Sequence, residues 1–361
     1  MTKRAINFSA GPAILPLSVL EEARRDLVDY QGTGMSVMEM SHRSPAYDEI
    51  HLGAVATLRR LLQAEDEHDI LFLQGGASLQ FSMVPMNLMF QARRADYVDT
   101  GAWSAKAIAE AGKVGEVRIA GSSREESYTR IPRQNELDLD PSADYIHITT
   151  NNTIYGTEWD YIPETGSVPL VADVSSDIMS KPIDMTRFGL IYAGAQKNLG
   201  PAGVSLVVIR KDVQDRAPKT IGSMLRYRTH AEKGSLYNTP ACWAIYIVGL
   251  VARWVEGQGG LDSMQRANEE KAGFIYDILD QEAFYRGTAR RESRSLMNIP
   301  FRLPTEELER RFVAEASAEG MTNLKGHRSV GGIRASIYNA MPRSGVETLV
   351  AFMQEFERKH G

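Results

Sequence analysis

The chain is predicted to be an α/β protein with one large domain and one smaller α+β domain. Three observations predict this. Its 361 residues, 43% of them hydrophobic and 24% charged, are enough for a large core and more than a single compact unit usually holds. From residue 16 to about residue 256, short apolar runs alternate with amphipathic stretches, the pattern of a mostly parallel sheet flanked by helices. Beyond Gly257-Gln258-Gly259-Gly260 the chain becomes more charged.

The elements follow in order. Ile70-Leu71-Phe72-Leu73 is a short apolar run closed by Gln74-Gly75-Gly76, so it reads as a strand that turns into a helix over 78–89. Tyr97-Val98 begins the next unit; Asp99-Thr100-Gly101 turns the chain, and Trp103 opens a helix toward Ala111. Further strands fall near 117–119, 145–149, 169–172, 190–193 and 204–209, which makes about seven for one sheet. In the second unit a long helix over 261–279, strands near 298–301 and 332–337, and helices near 306–318 and 346–360 form a compact α+β body. Segment 1–15 has no partner in the first pattern and is assigned to the second. The expected division is therefore 16–256 for the large domain and 1–15 with 257–361 for the small one.

Composition excludes several function classes. A net charge of −5 with interspersed acids and bases argues against nucleic acid or an anionic membrane surface as partner. The longest apolar stretch, Ala241 to Val255, is interrupted by Arg253 and is too short for a membrane span. The N-terminal residues lack the apolar core of a signal peptide, and a single cysteine fits a reducing compartment, so a cytoplasmic location is expected. Cys242, in the apolar run Ala241-Cys242-Trp243-Ala244-Ile245, reads as a packed core thiol. No metal-ligating cluster is read.

The chemistry is concentrated in Ala193-Gly194-Ala195-Gln196-Lys197-Asn198-Leu199-Gly200-Pro201. Here a lysine follows an apolar strand and is hemmed in by small residues. Desolvation of such an ammonium lowers its pKa toward neutrality and makes the amine a nucleophile toward carbonyls, pyridoxal phosphate above all. A lysine snorkelling from a loop is the plainer reading of this segment alone. Twenty-four residues upstream, Asp173 ends the apolar run Val168-Pro169-Leu170-Val171-Ala172 and precedes Val174-Ser175-Ser176. Open α/β sheets hold ligands at such carboxyl ends of strands. Pyridoxal enzymes need a carboxylate against the pyridine nitrogen, because a protonated ring drains carbanion charge better than a neutral one. An aspartate there also serves as a helix cap or turn former.

The paired glycines of Gln74-Gly75-Gly76-Ala77-Ser78 lead into a helix whose free N–H groups, with the Ser78 hydroxyl, suit a phosphate. Alone they are only a turn. They lack the Gly-Lys-Ser/Thr of a nucleotide loop and the dinucleotide GxGxxG pattern. Trp103, level with that turn, could stack on a planar ring or pack in the core. Two basic clusters, Ser41-His42-Arg43-Ser44 and Gly326-His327-Arg328-Ser329 with Arg334 beyond, suit carboxylate or phosphate. A third, Arg226-Tyr227-Arg228-Thr229-His230, reads as a mobile surface loop.

With these residues in hand, the whole chain resembles the phosphoserine aminotransferases, class-V aminotransferases of the aspartate-aminotransferase-like pyridoxal-phosphate fold. The resemblance runs from Asn7-Phe8-Ser9-Ala10-Gly11-Pro12 through Met38-Glu39-Met40-Ser41-His42-Arg43, Gly75-Gly76-Ala77-Ser78 and the Asp173 and Lys197 blocks. It continues with Tyr237-Asn238-Thr239-Pro240, Gly326-His327-Arg328 and Gly331-Gly332-Ile333-Arg334. The lysine block indicates only the broad fold; His42-Arg43 together with His327-Arg328 points to this family.

The resemblance implies residue roles. Lys197 carries the cofactor on its amine and later shuttles a proton, Asp173 pairs with the pyridine nitrogen, and Trp103 stacks on the ring. Ala77, Ser78 and Gln196 hold the cofactor phosphate, and Thr153 contacts the ring side. Asn238 and Thr239 resemble phosphate ligands donated by a neighbouring subunit, which implies a homodimer with shared sites. Arg334 grips the substrate α-carboxylate, while His42, Arg43, His327 and Arg328 hold the substrate phosphate or the glutamate γ-carboxylate. Some members carry arginine in place of Ser78, so the phosphate grip differs in detail. The implied reaction moves the amino group of L-glutamate to 3-phosphohydroxypyruvate, with 3-hydroxy-2-oxo-4-phosphonooxybutanoate as a second acceptor. Alternatives are weaker. A cysteine desulfurase needs a mobile catalytic cysteine, which Cys242 is not. An alanine–glyoxylate enzyme has little use for so many anion-gripping residues. A non-catalytic pyridoxal-binding protein predicts a broken lysine–aspartate pair.

Overall fold

A computed structural model of the chain describes residues 4–361. Its central sheet has seven strands: β1 (His68–Leu73), β2 (Arg94–Asp99), β3 (Glu116–Ser122), β4 (Ile146–Thr149), β5 (Leu170–Asp173), β6 (Leu190–Gly194) and β7 (Ser205–Arg210). They lie in the order β1-β7-β6-β5-β4-β2-β3. Four pairings are parallel, as the sequence predicts; β7 runs antiparallel to both β1 and β6. The reversal has a physical reason. The link from β6 to β7 contains no helix, and a parallel crossover needs one or its length in chain.

The strands read as continuous apolar runs because both faces of the sheet are covered. Alternate residues go to opposite sides. Phe72, Ile148 and Ile191 join one core, while Leu71, Tyr145 and Tyr192 join the other. The first core is covered by helices α1 (Leu17–Arg25), α2 (Pro45–Leu62) and α5 (Cys242–Gly257), the second by α3 (Gly76–Leu88) and α4 (Ala102–Ala111). Helix α2 starts where Ser44 accepts a hydrogen bond from the Tyr47 N–H at 3.3 Å and Pro45 fixes the first turn. Its approach to α5 depends on Gly249, where a side-chain carbon would lie 3.2 Å from Ala54 Cβ. Cys242 opens α5, half-buried against this core.

The segment Arg226–His230 is not the mobile surface loop expected. Tyr227 is fully buried and donates to Gln80 Oε1 at 2.7 Å, and His230 is 3% exposed within a short helix, Tyr227–Ala231. Tyr227, between two arginines, and His230 carry that segment into the core.

The C-terminal part holds an antiparallel sheet of β8 (Arg286–Gly287), β9 (Asn298–Arg302) and β10 (Ile333–Ser336), with helices α6 (Gly260–Leu279), α7 (Glu306–Ala318) and α8 (Arg343–His360). The N-terminal segment joins it. Ile6–Asn7 pairs in parallel with Met321–Thr322, and Phe8 and Ile14 are buried with Phe301, Phe312 and Phe356. Helix α6 straddles the two cores: Leu261 and Met264 pack on the large one, Ala272 and Ile275 on the small one.

Gly156 is where the parts press together. It has φ +72°, and a side-chain carbon there would overlap the Pro300 ring and lie 2.9 Å from the Asn298 carbonyl oxygen. Gly156→Ala is expected to cost about 1–3 kcal/mol through overpacking and left-handed strain. Thermal unfolding checks it; an unchanged Tm would mean that the turn relaxes freely.

Candidate active site

Asp173 is the last residue of β5, opposite Thr149 on β4, and Lys197 lies three residues past the end of β6. The lysine turn is pinned from several sides. The Ala195 N–H donates to Val204 O at 2.9 Å, and the Gly200 N–H donates to Ala195 O at 2.7 Å. From the N-terminal segment, the Ala13 N–H donates to Gln196 O at 2.9 Å, and Gly11 packs so closely that a side-chain carbon there would lie 3.3 Å from Lys197 Cγ. Asn198 donates to Ile178 O at 2.6 Å and accepts from the Asn339 N–H at 2.9 Å. Lysine rotamer freedom is costly to fix, and here the backbone on both sides of it is already held.

The side chains converge. Lys197 Nζ donates to Thr153 Oγ1 at 2.5 Å, and the Arg334 guanidinium donates to the Thr153 carbonyl at 3.2 Å. Lys197 Nζ also lies 5.4 Å from the centre of the Trp103 ring. Burial drives the Lys197 amine down to about 8, with Arg334 adding to the fall and Asp173 opposing it. Burial raises the Asp173 carboxyl above the usual carboxylate range, opposed by Lys197 and by Ser175, whose N–H donates to Asp173 Oδ1 at 2.9 Å. Both groups are thus displaced away from charge, with burial the larger influence on each.

This has a direct consequence for the cofactor-free protein. An ordinary lysine titrates near about 10.4, so Lys197, depressed to about 8, is charged at pH 6 and largely neutral at pH 9. The rate of carbonyl capture from pyridoxal phosphate should rise through pH 8 and level off by pH 9. The same proton shift makes the native state gain stability as pH rises from about 8 toward 10.4, where only the unfolded chain still binds the proton. Stopped-flow absorbance across pH checks the capture; a rate still climbing steeply at pH 10 would remove the depressed amine.

Helix α3 is capped by Gly75, φ +89°, with Leu79 N–H donating back to Gly75 O at 3.3 Å. Among the described residues the N–H groups of Gly76, Ala77 and Ser78 have no backbone acceptor, and Ser78 is exposed. They form the positive N-terminal end of a helix of 13 residues, an end that suits an anion. Gln196 and Trp103 are half-buried and Thr153 is buried. On the C-terminal part, His327 and Arg334 are half-buried and Arg328 is exposed; His327 Nδ1 meets Ser329 Oγ at 2.7 Å.

Four expected residues lie apart. His42 and Arg43 occupy the turn before α2, and Asn238 and Thr239 lie beside Gln74, whose amide donates to the Thr239 carbonyl at 3.5 Å. Among the described residues no hydrogen bond or ion pair ties these four to Lys197 or Asp173 within the same chain.

A planar aldehyde with a ring nitrogen and a phosphate needs an amine, an acid, a flat face and an anion site. Lys197, Asp173, Trp103 and the α3 N-terminus provide these, and among the described residues the buried Trp103 indole N–H has no partner. The residues fit pyridoxal phosphate.

The class-V aminotransferase profile matches residues 5–349. The chain belongs to this family. Within it, the phosphoserine aminotransferase of Desulfosudis oleivorans is 55% identical over 363 residues, covering 100% of each chain. The solved phosphoserine aminotransferase of Bacillus circulans subsp. alkalophilus superposes with a TM-score of 0.98 at 52% identity, covering 100% of both chains. A pyridoxal-phosphate-bound phosphoserine aminotransferase from Trichomonas vaginalis gives 0.93 at 38% identity, over 97% of this chain and 100% of that one. The fold is the class-V aminotransferase fold, the chain is an aminotransferase, and its cofactor is pyridoxal phosphate. No described helix is long and apolar enough to cross a membrane.

Sequence reasoning missed several residues of this aminotransferase site. Ser175 sits two residues after Asp173 and could have been read as its donor. Asn198 adjoins Lys197, but its partners Ile178 and Asn339 are far away in sequence, and nothing local indicates them. Asp177, buried and raised above the usual carboxylate range by desolvation and by Glu158, accepts from Thr150 Oγ1 at 2.6 Å, four residues after Asp173.

Proposed function

We infer that this chain transfers the amino group of L-glutamate to 3-phosphohydroxypyruvate, giving O-phospho-L-serine and 2-oxoglutarate. The observation that carries the reading is the linkage of Lys197 and Arg334 through one residue, Thr153: a depressed amine and a carboxylate-gripping guanidinium share a support. The full-length likeness to phosphoserine aminotransferases supports the substrate pair.

The cofactor, when bound, supplies an electron sink for charge developing at the substrate Cα. The residues do the rest. Arg334 holds the α-carboxylate, which fixes the Cα–H bond relative to Lys197. Lys197 Nζ would act as the base at the substrate Cα, taking its proton and, in the return half-reaction, giving one back. Asp173 would hold the ring nitrogen, and the Ser175 N–H that it accepts fixes its orientation. Gly76, Ala77, Ser78 and Gln196 hold the cofactor phosphate. Trp103 offers a flat apolar face that keeps water from the reacting carbon. His327 and Arg328 receive the distal anion; both groups pair with carboxylate or phosphate, so one site serves both substrates. The longer acceptor, 3-hydroxy-2-oxo-4-phosphonooxybutanoate, presents the same terminal anion and belongs to the same reading.

The reading includes a homodimer. Among the described residues, His42, Arg43, Asn238 and Thr239 make no hydrogen bond or ion pair with Lys197, which supports their supply by a second copy. It also includes the division 16–256 against 1–15 with 257–361, supported by Phe8 and Ile14 lying in the C-terminal core. A cytoplasmic location accords with the one thiol.

The test is spectroscopic. Protein loaded with pyridoxal phosphate should absorb in the visible; L-glutamate should bleach the band and 3-phosphohydroxypyruvate should restore it. A band untouched by glutamate refutes the donor, and a bleached band that the phospho-oxo acid leaves bleached refutes the acceptor.

A further inference from the structure

One cation beside the site has no part in the reading above. Lys106 lies one turn beyond Trp103 on α4, exposed, with its ammonium 4.3 Å from the centre of the Trp103 ring. That ring is also approached by Lys197, at 5.4 Å. Two ammonium groups thus share one indole, and the second is the amine of the reacting centre. Among the described residues no carboxylate lies within 4.0 Å of Lys106. Lys113, just past the end of the same helix, is different: it pairs with Glu110 at 2.6 Å. An ammonium over an aromatic face is held there by the ring quadrupole while its three donors remain available.

The space in front of Lys106 is already positive. Burial holds the His327 imidazole below its ordinary value, and the charges of Arg334, Arg328 and Lys106 lower it further. A cation from the large sheet's helix layer and three basic groups from the C-terminal part therefore act on one region. Among the described residues, none of Lys106, His327, Arg328 and Arg334 has a carboxylate oxygen within 4.0 Å. Like charges gathered without a counter-charge repel one another, and an arriving anion relieves them all at once.

We propose that Lys106 is a further anion-binding and specificity-determining residue, donating to the terminal phosphate of the oxo-acid substrate from the α4 side while His327 and Arg328 hold it from the other. The proposal deepens the functional reading and rests on it for the identity of the substrate. Lys106 then discriminates between the two half-reactions. A phosphate carries close to two negative charges at neutral pH and a γ-carboxylate one, so an extra point charge favours the phosphate. Because the contact is made equally in the bound substrate and at the transition state, it changes KM and leaves kcat nearly untouched.

Lys106→Met, Lys106→Arg and the control Lys113→Met test it. In Lys106→Met the KM for 3-phosphohydroxypyruvate should rise on the order of tenfold, against less than about threefold for L-glutamate, with kcat changed by less than about twofold. Lys106→Arg should recover most of the loss, since guanidinium also binds phosphate, and Lys113→Met should match the wild type. The affinity of the loaded protein for inorganic phosphate, measured by calorimetry, should fall by a similar factor in Lys106→Met, and its salt dependence should flatten. Equal phosphate affinity in wild type and Lys106→Met overturns the proposal. So does a parallel rise in both KM values with loss of cofactor retention, which is the mark of a prop for Trp103 alone. If the wild type fails to turn over the phospho-oxo acid, the functional reading falls, and the calorimetric comparison still decides Lys106 independently.

Discussion

Lys197→Ala is expected to abolish transamination, with a fall of about 10⁴-fold or more, because on the proposed reading one substitution removes both the amine that carries the cofactor and the base at Cα. The fold should survive. Among the described residues Lys197 Nζ makes one hydrogen bond, to Thr153, and the turn around it is held by the backbone groups of Ala195, Gln196 and Gly200 and by Asn198. Since burial depresses the Lys197 amine to about 8, the ammonium opposes folding below that pH, and its removal should leave the cofactor-free protein at least as stable at pH 7. The checks are turnover, the visible band of the loaded protein and the Tm of the cofactor-free one. Retained turnover would sink the assignment of Lys197; a collapsed Tm would show that it is a structural residue.

Asp173→Asn separates charge from shape. The amide oxygen can still accept from the Ser175 N–H, so orientation is kept while the negative charge is lost. Proton removal from Cα should slow by roughly 10²- to 10⁴-fold, the range of a positioned ionisable group, read as exchange of the glutamate Cα proton with deuterated solvent. There is a second readout in the absence of turnover. The Asp173 charge raises the Lys197 amine, so the substitution should move the pH midpoint for pyridoxal phosphate capture below that of the wild type. A near-normal exchange rate with an unmoved midpoint would take Asp173 away from the ring nitrogen.

What the sequence determined by itself was local. Strand runs such as Ile70–Leu73 and Leu190–Ala193 were legible because strands buried on both faces must be continuously apolar. The glycine pair before α3, and the aspartate and lysine at neighbouring strand ends, were legible because chemistry at strand ends leaves polar residues abruptly after apolar ones. The wider family pattern then gave roles to residues that no local rule distinguishes, such as Thr153 and Gln196.

What only the tertiary structure decided was which of these meet. The antiparallel turn of β7 follows from a short link whose direction composition does not record. The burial of Tyr227 was hidden by the charged residues on either side of it, since a few residues of mixed polarity give no period to read. Arg334 reaches Thr153 across 181 residues of chain, Asn339 holds Asn198 across 141, and Lys197 comes within 5.4 Å of the Trp103 ring only because α4 presents that ring toward the lysine turn. Such contacts form between segments whose own sequences satisfy only local constraints, and their energy comes from burial and desolvation that exist once the sheet and the C-terminal part have closed on each other.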